Sequence, residues 1–432
     1  MSAAELPWAG QRLHLVGVGG AGMSAYARCA LALGATVSGS DQAESPGLAA
    51  LRALGVDARA GHAAANVPPG DGVEVFHSTA IPASNPEREE AARRGVPDHP
   101  RAELLRRFSA LKRTIAVAGA HGKTTTTSML AHALLAVGAE PAYLIGGDLV
   151  STGRNAEWGA GEWLVVEADE SDRSLLSIET DIAVVTNVEL DHHATYGSLE
   201  EVRAVFRQFL AAPPHAVLWD RPDVLALRDR AADTVAFDAP AEPLELLVPG
   251  EHNQRNAAAA LAVLRLAGVD AEAARAALAT FPGAGRRFQT LGVTAGGARI
   301  VDDYAHHPTE VAATIQAARS LTPSRVVAVF QPHLFSRTEH LAGEFGRALA
   351  GADVVCLVDV YPARERAEDF PAVTGRLLAE TTLDARPGMP VLWLPGFDDV
   401  ERVLAPRLRD GDLVLVMGAG DVNALGARLA AL

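Results

Sequence analysis

RTIAVAGAHGKTTTTSMLAHALLAVG, Arg113 to Gly138, decides the fold. Its first seven residues form an apolar run of buried-strand type, and AHGK reads as a turn. TTTTSMLAHALLAVG then reads as a helix stopped by Gly138. A glycine turn between a strand and a helix aims backbone N–H groups inward and offers the positive helix end to an anion. Gly119 and Gly122 permit the tight path. Lys123 is then placed to neutralise the β- and γ-phosphates of a nucleotide, with the Thr124 hydroxyl on Mg²⁺. The standard phosphate-loop pattern asks for glycine where this chain has Val117. The alternative is an ordinary capped helix start with a chance lysine, and the strand-before, helix-after context weighs against it. His121, inside the turn, either faces a substrate or hydrogen-bonds the loop.

The same rhythm occurs on both sides. Upstream, RLHLVGV from Arg12 is a strand, GGAG a turn, MSAYARCALALG a helix closing on Gly34, and ATVSGSD a second strand, which together make a βαβ opening. Gly17, Gly19 and Gly22 satisfy GxGxxG, and Asp41 ends the next strand as a ribose acceptor would. That fingerprint alone suggests an NAD-dependent dehydrogenase, but such an enzyme leaves the second glycine turn unexplained. Downstream of Arg286, strands are expected near ARIV, SRVVAVF, DVVCLV and DLVLVMG, separated by helical stretches such as TEVAATIQAAR. The Pro-rich APAEPLELLVPG segment before His252 reads as loop. The fold class expected is therefore α/β with three domains, 1–101, 102–285 and 286–432. The first and last are Rossmann-like and the central one is a P-loop unit.

A chain of 432 residues agrees with about three domains at the usual domain size. Acidic residues outnumber basic ones 53 to 38, for a formal charge of -15, which argues against a broad nucleic-acid footprint. An anionic substrate then needs a local basic pocket. Cys29 and Cys356 are too few and too isolated for a disulfide framework or a thiolate zinc site, and both read as packed apolar residues. With no membrane-length apolar run and no targeting pattern, a cytoplasmic protein is expected, monomeric or homodimeric.

Two motifs follow apolar runs of the central unit. EADESD after WLVV puts Glu167 at a strand's carboxyl end, and TNVELDHH after IAVV brings His192 to the same edge. A carboxylate and an imidazole beside phosphate oxygens suit a second Mg²⁺, although imidazole is not its preferred ligand. Asn253 and Asn256 open an Ala-rich helix, share a face, and either read an adenine edge or simply cap the helix. In DDYAHHPTE, Pro308 suits a first helical position and Glu310 the first turn.

With these pieces in place the chain resembles the Mur ligase family of peptidoglycan synthesis nearly end to end. The resemblance rests on HLVGVGGAGMS, SGSD, STAIPASNPE, GAHGKTTTT, EADESD, TNVELDHH, PGEHNQRNAAAA, GAGRRF, DDYAHHPTE, FQPHLFSRT and VYPARE, in the family's order. It implies three domains binding, in turn, a UDP-sugar, ATP and an amino acid, with UDP-N-acetylmuramate and L-alanine as the reactants. It implies a UDP-sugar site at Gly17, Gly19, Gly20, Ala21, Gly22, Ser40, Asp41 and His121. It places ATP on Gly119, Gly122, Lys123, Thr124, Thr125, His252, Asn253, Asn256, Arg287 and Asp303, with Thr124, Glu167 and His192 on metal. Arg287 resembles an arginine that reaches the γ-phosphate, a bidentate role, and Arg286 is expected to be a solvated neighbour. Tyr304, His306, His333 and Arg337 resemble the amino-acid pocket, where His306 either deprotonates the amine or is structural. Some relatives carry arginine where this chain has Leu334, so the carboxylate grip leans on Arg337. Several sister ligases carbamylate a lysine downstream of the metal histidine. EEVRAVFRQFL contains none, so unmodified coordination is expected. The family also includes a recycling ligase for a preformed tripeptide, whose glycine loop differs from GVGGAGMS.

Overall fold

The computed structural model describes residues 6–190, 195–229 and 233–432. Each strand–turn–helix restart in the sequence begins a separate sheet. The first contains β1 (Arg12–Val16), β2 (Thr36–Asp41), β3 (Asp57–Ala60), β4 (Val73–His77) and β5 (Asp98–Pro100), in the order β3-β2-β1-β4-β5. All its pairings are parallel. The second contains β6 (Arg113–Ala118), β7 (Ala142–Leu149), β8 (Arg154–Glu157), β9 (Trp163–Glu167), β10 (Ile182–Val185), β11 (His215–Trp219) and β12 (Thr234–Phe237). Its order is β12-β11-β10-β6-β9-β7-β8, and only the edge strand β8 runs antiparallel to its neighbour. The third contains β13 (Gln289–Val293), β14 (Arg299–Asp303), β15 (Arg325–Phe330), β16 (Val354–Leu357), β17 (Val391–Trp393) and β18 (Asp412–Met417). Here the order is β13-β14-β18-β15-β16-β17, with β13 antiparallel.

This is the expected α/β class, with parallel strands buried on both faces by crossover helices. β6, β9 and β10 are buried almost throughout, as their continuous apolar runs require. The helix after β1 runs Ala21–Ala32 and the helix after β6 runs Lys123–Ala136. Four expected strands of the last sheet correspond to β14, β15, β16 and β18. The edge strands β13 and β17 were not foreseen, because both are short and half exposed: β13 is broken by Gly292 and β17 is only three residues long. Residues 239–250 carry no regular element, as the proline content suggested.

Packing groups the chain into two compact units: residues up to Leu244 with Arg255–Phe281, and Glu245–Gln254 with Pro282–Leu432. The first unit holds the first two sheets and the second holds the third. The helix Glu251–Leu266 begins in one and continues in the other. Cys29 and Cys356 are both buried. Among the described residues no helix is long and apolar enough to cross a membrane.

Candidate active site

In open α/β sheets, ligands gather where the strand order reverses, beyond the carboxyl ends of the strands. In the central sheet that point is β6, which has β9 on one side and β10 on the other. Val117 explains the departure from the standard phosphate loop. It is still strand, in register with Val184 and Glu167, so the turn is only the four residues Gly119–Gly122. Gly119 has φ +132°, and a methyl there would fall 2.1 Å from the Thr186 hydroxyl, so glycine is obligatory. Thr186 and Asn187, at the end of β10, brace the loop. The Thr186 hydroxyl donates to the His121 carbonyl (2.5 Å) and the Asn187 amide to the same oxygen (2.8 Å), while the His121 N–H donates to Asn187 Oδ1 (2.9 Å). The His121 ring lies 3.2 Å from Glu189.

Lys123 folds back over this turn. Its ammonium donates to the carbonyls of Gly119 (2.6 Å) and Ala120 (3.2 Å) and to Glu170 Oε1 (3.0 Å). Burial opposes its charge, but the carboxylates of Glu170, Asp169 and Glu167 outweigh burial and hold it above the ordinary lysine range. The Thr124 hydroxyl donates to Glu167 Oε1 (3.0 Å), whose other oxygen accepts the Gly146 N–H (2.8 Å). Two hard oxygen donors therefore meet beside the phosphate loop, a set that fits Mg²⁺. The other expected metal ligand, His192, lies outside the described residues. Thr125 is buried on the same helix. Asn256 approaches the loop so closely that a methyl on Gly122 would sit 2.6 Å from its side-chain oxygen. Asn253 instead donates to the Pro249 carbonyl (2.7 Å), within the segment that also packs the His252 ring against Gly250.

The glycine turn after β1 lies at the corresponding switch point of its own sheet. The Ser40 carbonyl accepts the N–H groups of Gly17 (2.8 Å) and Val18 (2.9 Å), and Asp41 Oδ2 accepts the Gly19 N–H (2.8 Å). Gly20 caps the helix that starts at Ala21. Ser40 does not face the space above this loop, which corrects its sequence role. Its hydroxyl is fully buried and donates to Glu87 (2.7 Å), which also receives His14, Asn66 and the Ala63 N–H. Burial alone would raise the Glu87 carboxyl, but these hydrogen bonds prevail and bring it down to about 2.

In the second unit, β14 ends at Asp303, whose two oxygens accept the N–H groups of Phe288 and Ala305, each at 2.8 Å. Burial pushes its carboxyl up to about 6 against the pull of Arg287. Asp303 therefore pins the turn bearing Arg287 to the strand end. Arg286 and Arg287 lie over the Tyr304 ring at 4.9 and 5.0 Å. The expectation of a solvated Arg286 is wrong. Its guanidinium donates to the Gly418 carbonyl (2.6 Å) and to buried Asp302 (3.3 Å), so it is a brace. His306 Nδ1 sits 3.0 Å from the Tyr304 carbonyl and 3.2 Å from Glu310, which also closes a capping box with His307. The His333 ring lies 6.0 Å from that of His306 and stacks on Tyr361, and Arg337 Nη1 lies 3.3 Å from His333 Nδ1. Tyr304, His306, His333 and Arg337 therefore cluster, as expected. Glu170 and Asn187 beside the phosphate loop, and Tyr361 beside His333 in the second unit, had not been singled out, although each lies in a motif already quoted.

Three family signatures match consecutive parts of the chain: "Mur ligase family, catalytic domain" at 12–113, "Mur ligase middle domain" at 117–238 and "Mur ligase, glutamate ligase domain" at 286–420. A UDP-N-acetylmuramate--L-alanine ligase of Nocardioides sp. is 48% identical over 436 residues, covering 97% of this chain and 95% of that protein. One from Mycobacterium sp. (strain JLS) is 43% identical over 477 residues, covering 100% and 97%. Among solved structures, UDP-N-acetylmuramate-alanine ligase MurC of Thermotoga maritima superposes with a TM-score of 0.81 at 28% identity, covering 97% and 98% of the two chains. A murein peptide ligase of Psychrobacter arcticus reaches a TM-score of 0.71 at 23% identity, a likeness of fold. With signatures over most of its length and relatives of this identity along all of it, the chain belongs to the Mur ligase family.

Proposed function

We propose that this chain joins L-alanine to the lactyl carboxylate of UDP-N-acetylmuramate at the expense of ATP, releasing ADP and phosphate. The carrying observation is Lys123, fixed over a four-residue glycine turn and framed by Thr124 and Glu167. In this reading, residues 1–101 hold the UDP-sugar, 102–285 the ATP and 286–432 the alanine. The acceptor carboxylate attacks the γ-phosphorus, the β–γ bridging bond breaks, and an acyl phosphate and ADP result. The neutral amine of alanine then attacks the acyl carbon, and phosphate leaves.

Two anions must meet in the first step, so positive charge at the transferring group is the largest catalytic contribution. Lys123 supplies it from the loop, and Arg287 is assigned the same phosphoryl group. Thr124, Glu167 and His192 are the residues proposed to hold magnesium, which would screen the phosphate oxygens. In the second step Arg337 holds the alanine carboxylate. His306, held by Glu310 and the Tyr304 carbonyl, positions the amine.

Phosphate release, measured with each of ATP, UDP-N-acetylmuramate and L-alanine omitted in turn, tests this. Release only with all three is expected. Release with a tripeptide but not with alanine would instead mean the recycling reaction, and oxidation of NADH would mean a dehydrogenase.

A further inference from the structure

Arg101 has no part in the chemistry above, yet its position is singular. It is the first residue of the helix Arg101–Ser109, which lies between the first sheet and β6. Its Nε donates to Asp172 Oδ2 at 2.7 Å, and Nη2 lies 2.6 Å from the same oxygen and 3.4 Å from Asp169 Oδ2. On its other side, Nη1 faces the first glycine loop, where a methyl on Gly22 would come within 3.1 Å of it. The guanidinium thus packs directly against the glycine turn at Gly22. Between the two loops lies a cavity of about 120 Å³, lined by Gly22, Tyr26, Arg101, Gly146, Glu167 and Asp169.

The acidic loop has reason to need a cation there. Glu167, Asp169, Glu170 and Asp172 crowd six consecutive residues and repel one another. Lys123 meets Glu170 from the phosphate-loop side, while Arg101 takes Asp172 and Asp169 from the opposite sheet. Burial works against the Arg101 charge, but Tyr26, Asp172 and Asp169 together hold it above the usual arginine range. A second, uncharged tie reaches the same glycine turn from the edge of the central sheet: Asn155 Nδ2, on β8, donates to the Ala21 carbonyl at the start of the glycine-loop helix (2.9 Å).

We propose that Arg101 is a positioning residue for phosphoryl transfer. It fixes the acidic loop so that Glu167 and Glu170 are presented to Thr124 and Lys123, and it ties that loop to the acceptor-side glycine turn at Gly22. This rests on the magnesium and nucleotide reading of Thr124 and Glu167. A fork is required, because one planar guanidinium spans two carboxylates where an ammonium acts as a single point charge.

The test is the affinity for ADP, titrated with and without magnesium, for wild type, Arg101→Ala, Arg101→Lys and Asp172→Asn, with folding checked by thermal melting. UDP-N-acetylmuramate affinity is measured separately by calorimetry. We expect the magnesium-dependent gain in ADP affinity to fall roughly 10-fold or more in Arg101→Ala, the scale of lost outer-shell support. Lysine should not restore it. Asp172→Asn, which keeps the side chain's shape, should reproduce it, and the double variant should add little. UDP-N-acetylmuramate affinity should be essentially unchanged. Normal magnesium-ADP binding in folded Arg101→Ala overturns the proposal, as does lost acceptor affinity with magnesium-ADP binding intact. If Arg101→Ala does not fold, Asp172→Asn decides alone. Wild type that binds magnesium-ADP yet releases no phosphate from the full mixture would overturn the proposed function and leave Arg101's role standing. Wild-type ADP binding indifferent to magnesium would overturn the role of Arg101.

Discussion

Replacing Lys123 by methionine should do two separable things. Lys123 and Glu170 face each other at 3.0 Å with side chains only 13% and 4% exposed. Removing the ammonium strands a buried carboxylate, a loss of about 3–5 kcal/mol. For a unit of this size that is a fall in melting midpoint of roughly 10 °C. Independently, the transferring phosphoryl group loses its loop cation. A preorganised charge of this kind contributes about 10²–10³ in rate, or roughly 3–4 kcal/mol at the transition state. The double variant Lys123→Met/Glu170→Gln separates the two effects, because it removes both charges and keeps both shapes. Its melting midpoint should recover most of the loss, since replacing a buried pair outright is close to neutral, while phosphate release stays at the level of the single variant. Melting curves and a phosphate-release assay on the same preparations read both quantities. Turnover returning towards wild type in the double variant would refute the reasoning, because Lys123 would then be no more than the counter-ion of Glu170.

Gly119→Ala should abolish ADP binding, since the new methyl would sit 2.1 Å from the Thr186 hydroxyl. Gly138→Ala, also at positive φ but with open space around it, should cost only about 1–2 kcal/mol and leave turnover unchanged. Equal effects in calorimetry would contradict the loop geometry. Burial lifts the Asp303 carboxyl to about 6 in the folded chain from an ordinary 3.8, so its contribution to stability is full below about pH 4 and is lost as pH rises through 6. The whole change is about 3 kcal/mol. Asp303→Asn should lack it, so the difference in melting midpoint between wild type and variant should shift across pH 4–6, and a flat difference would rule this out. Arg287→Lys should lower kcat at least about 10-fold with little change in the melting curve, because a point charge replaces a fork. Wild-type kcat would remove Arg287 from the phosphoryl site.

Both glycine turns were legible because their chemistry is local. A strand, a short Gly-bearing turn and a helix are contiguous in sequence, and the pattern dictates where the N–H groups point. Tyr304 and His306 were grouped with His333 and Arg337 through the family resemblance alone, and the fold supplies the physical reason: β14 and β15 both flank β18, so parallel strands bring these distant motifs to one edge. Charge partners were not legible in this way. Lys123 and Glu170 stand 47 residues apart and Arg101 and Asp172 stand 71 apart, and nothing in either motif names the other. Ser40 shows the limit from the opposite direction. It sits beside Asp41 in SGSD, but strand alternation sends adjacent side chains to opposite faces, so Asp41 reaches the Gly19 amide while Ser40 turns inward to Glu87. Arg286 and Arg287 share the Tyr304 ring but differ in their charge partners, one bound to Asp302 and the Gly418 carbonyl, the other 3.9 Å from Glu310. A motif therefore identifies the edge where chemistry gathers. Which of two neighbouring residues does the chemistry depends on backbone direction and on long-range charge, and those are properties of the folded chain.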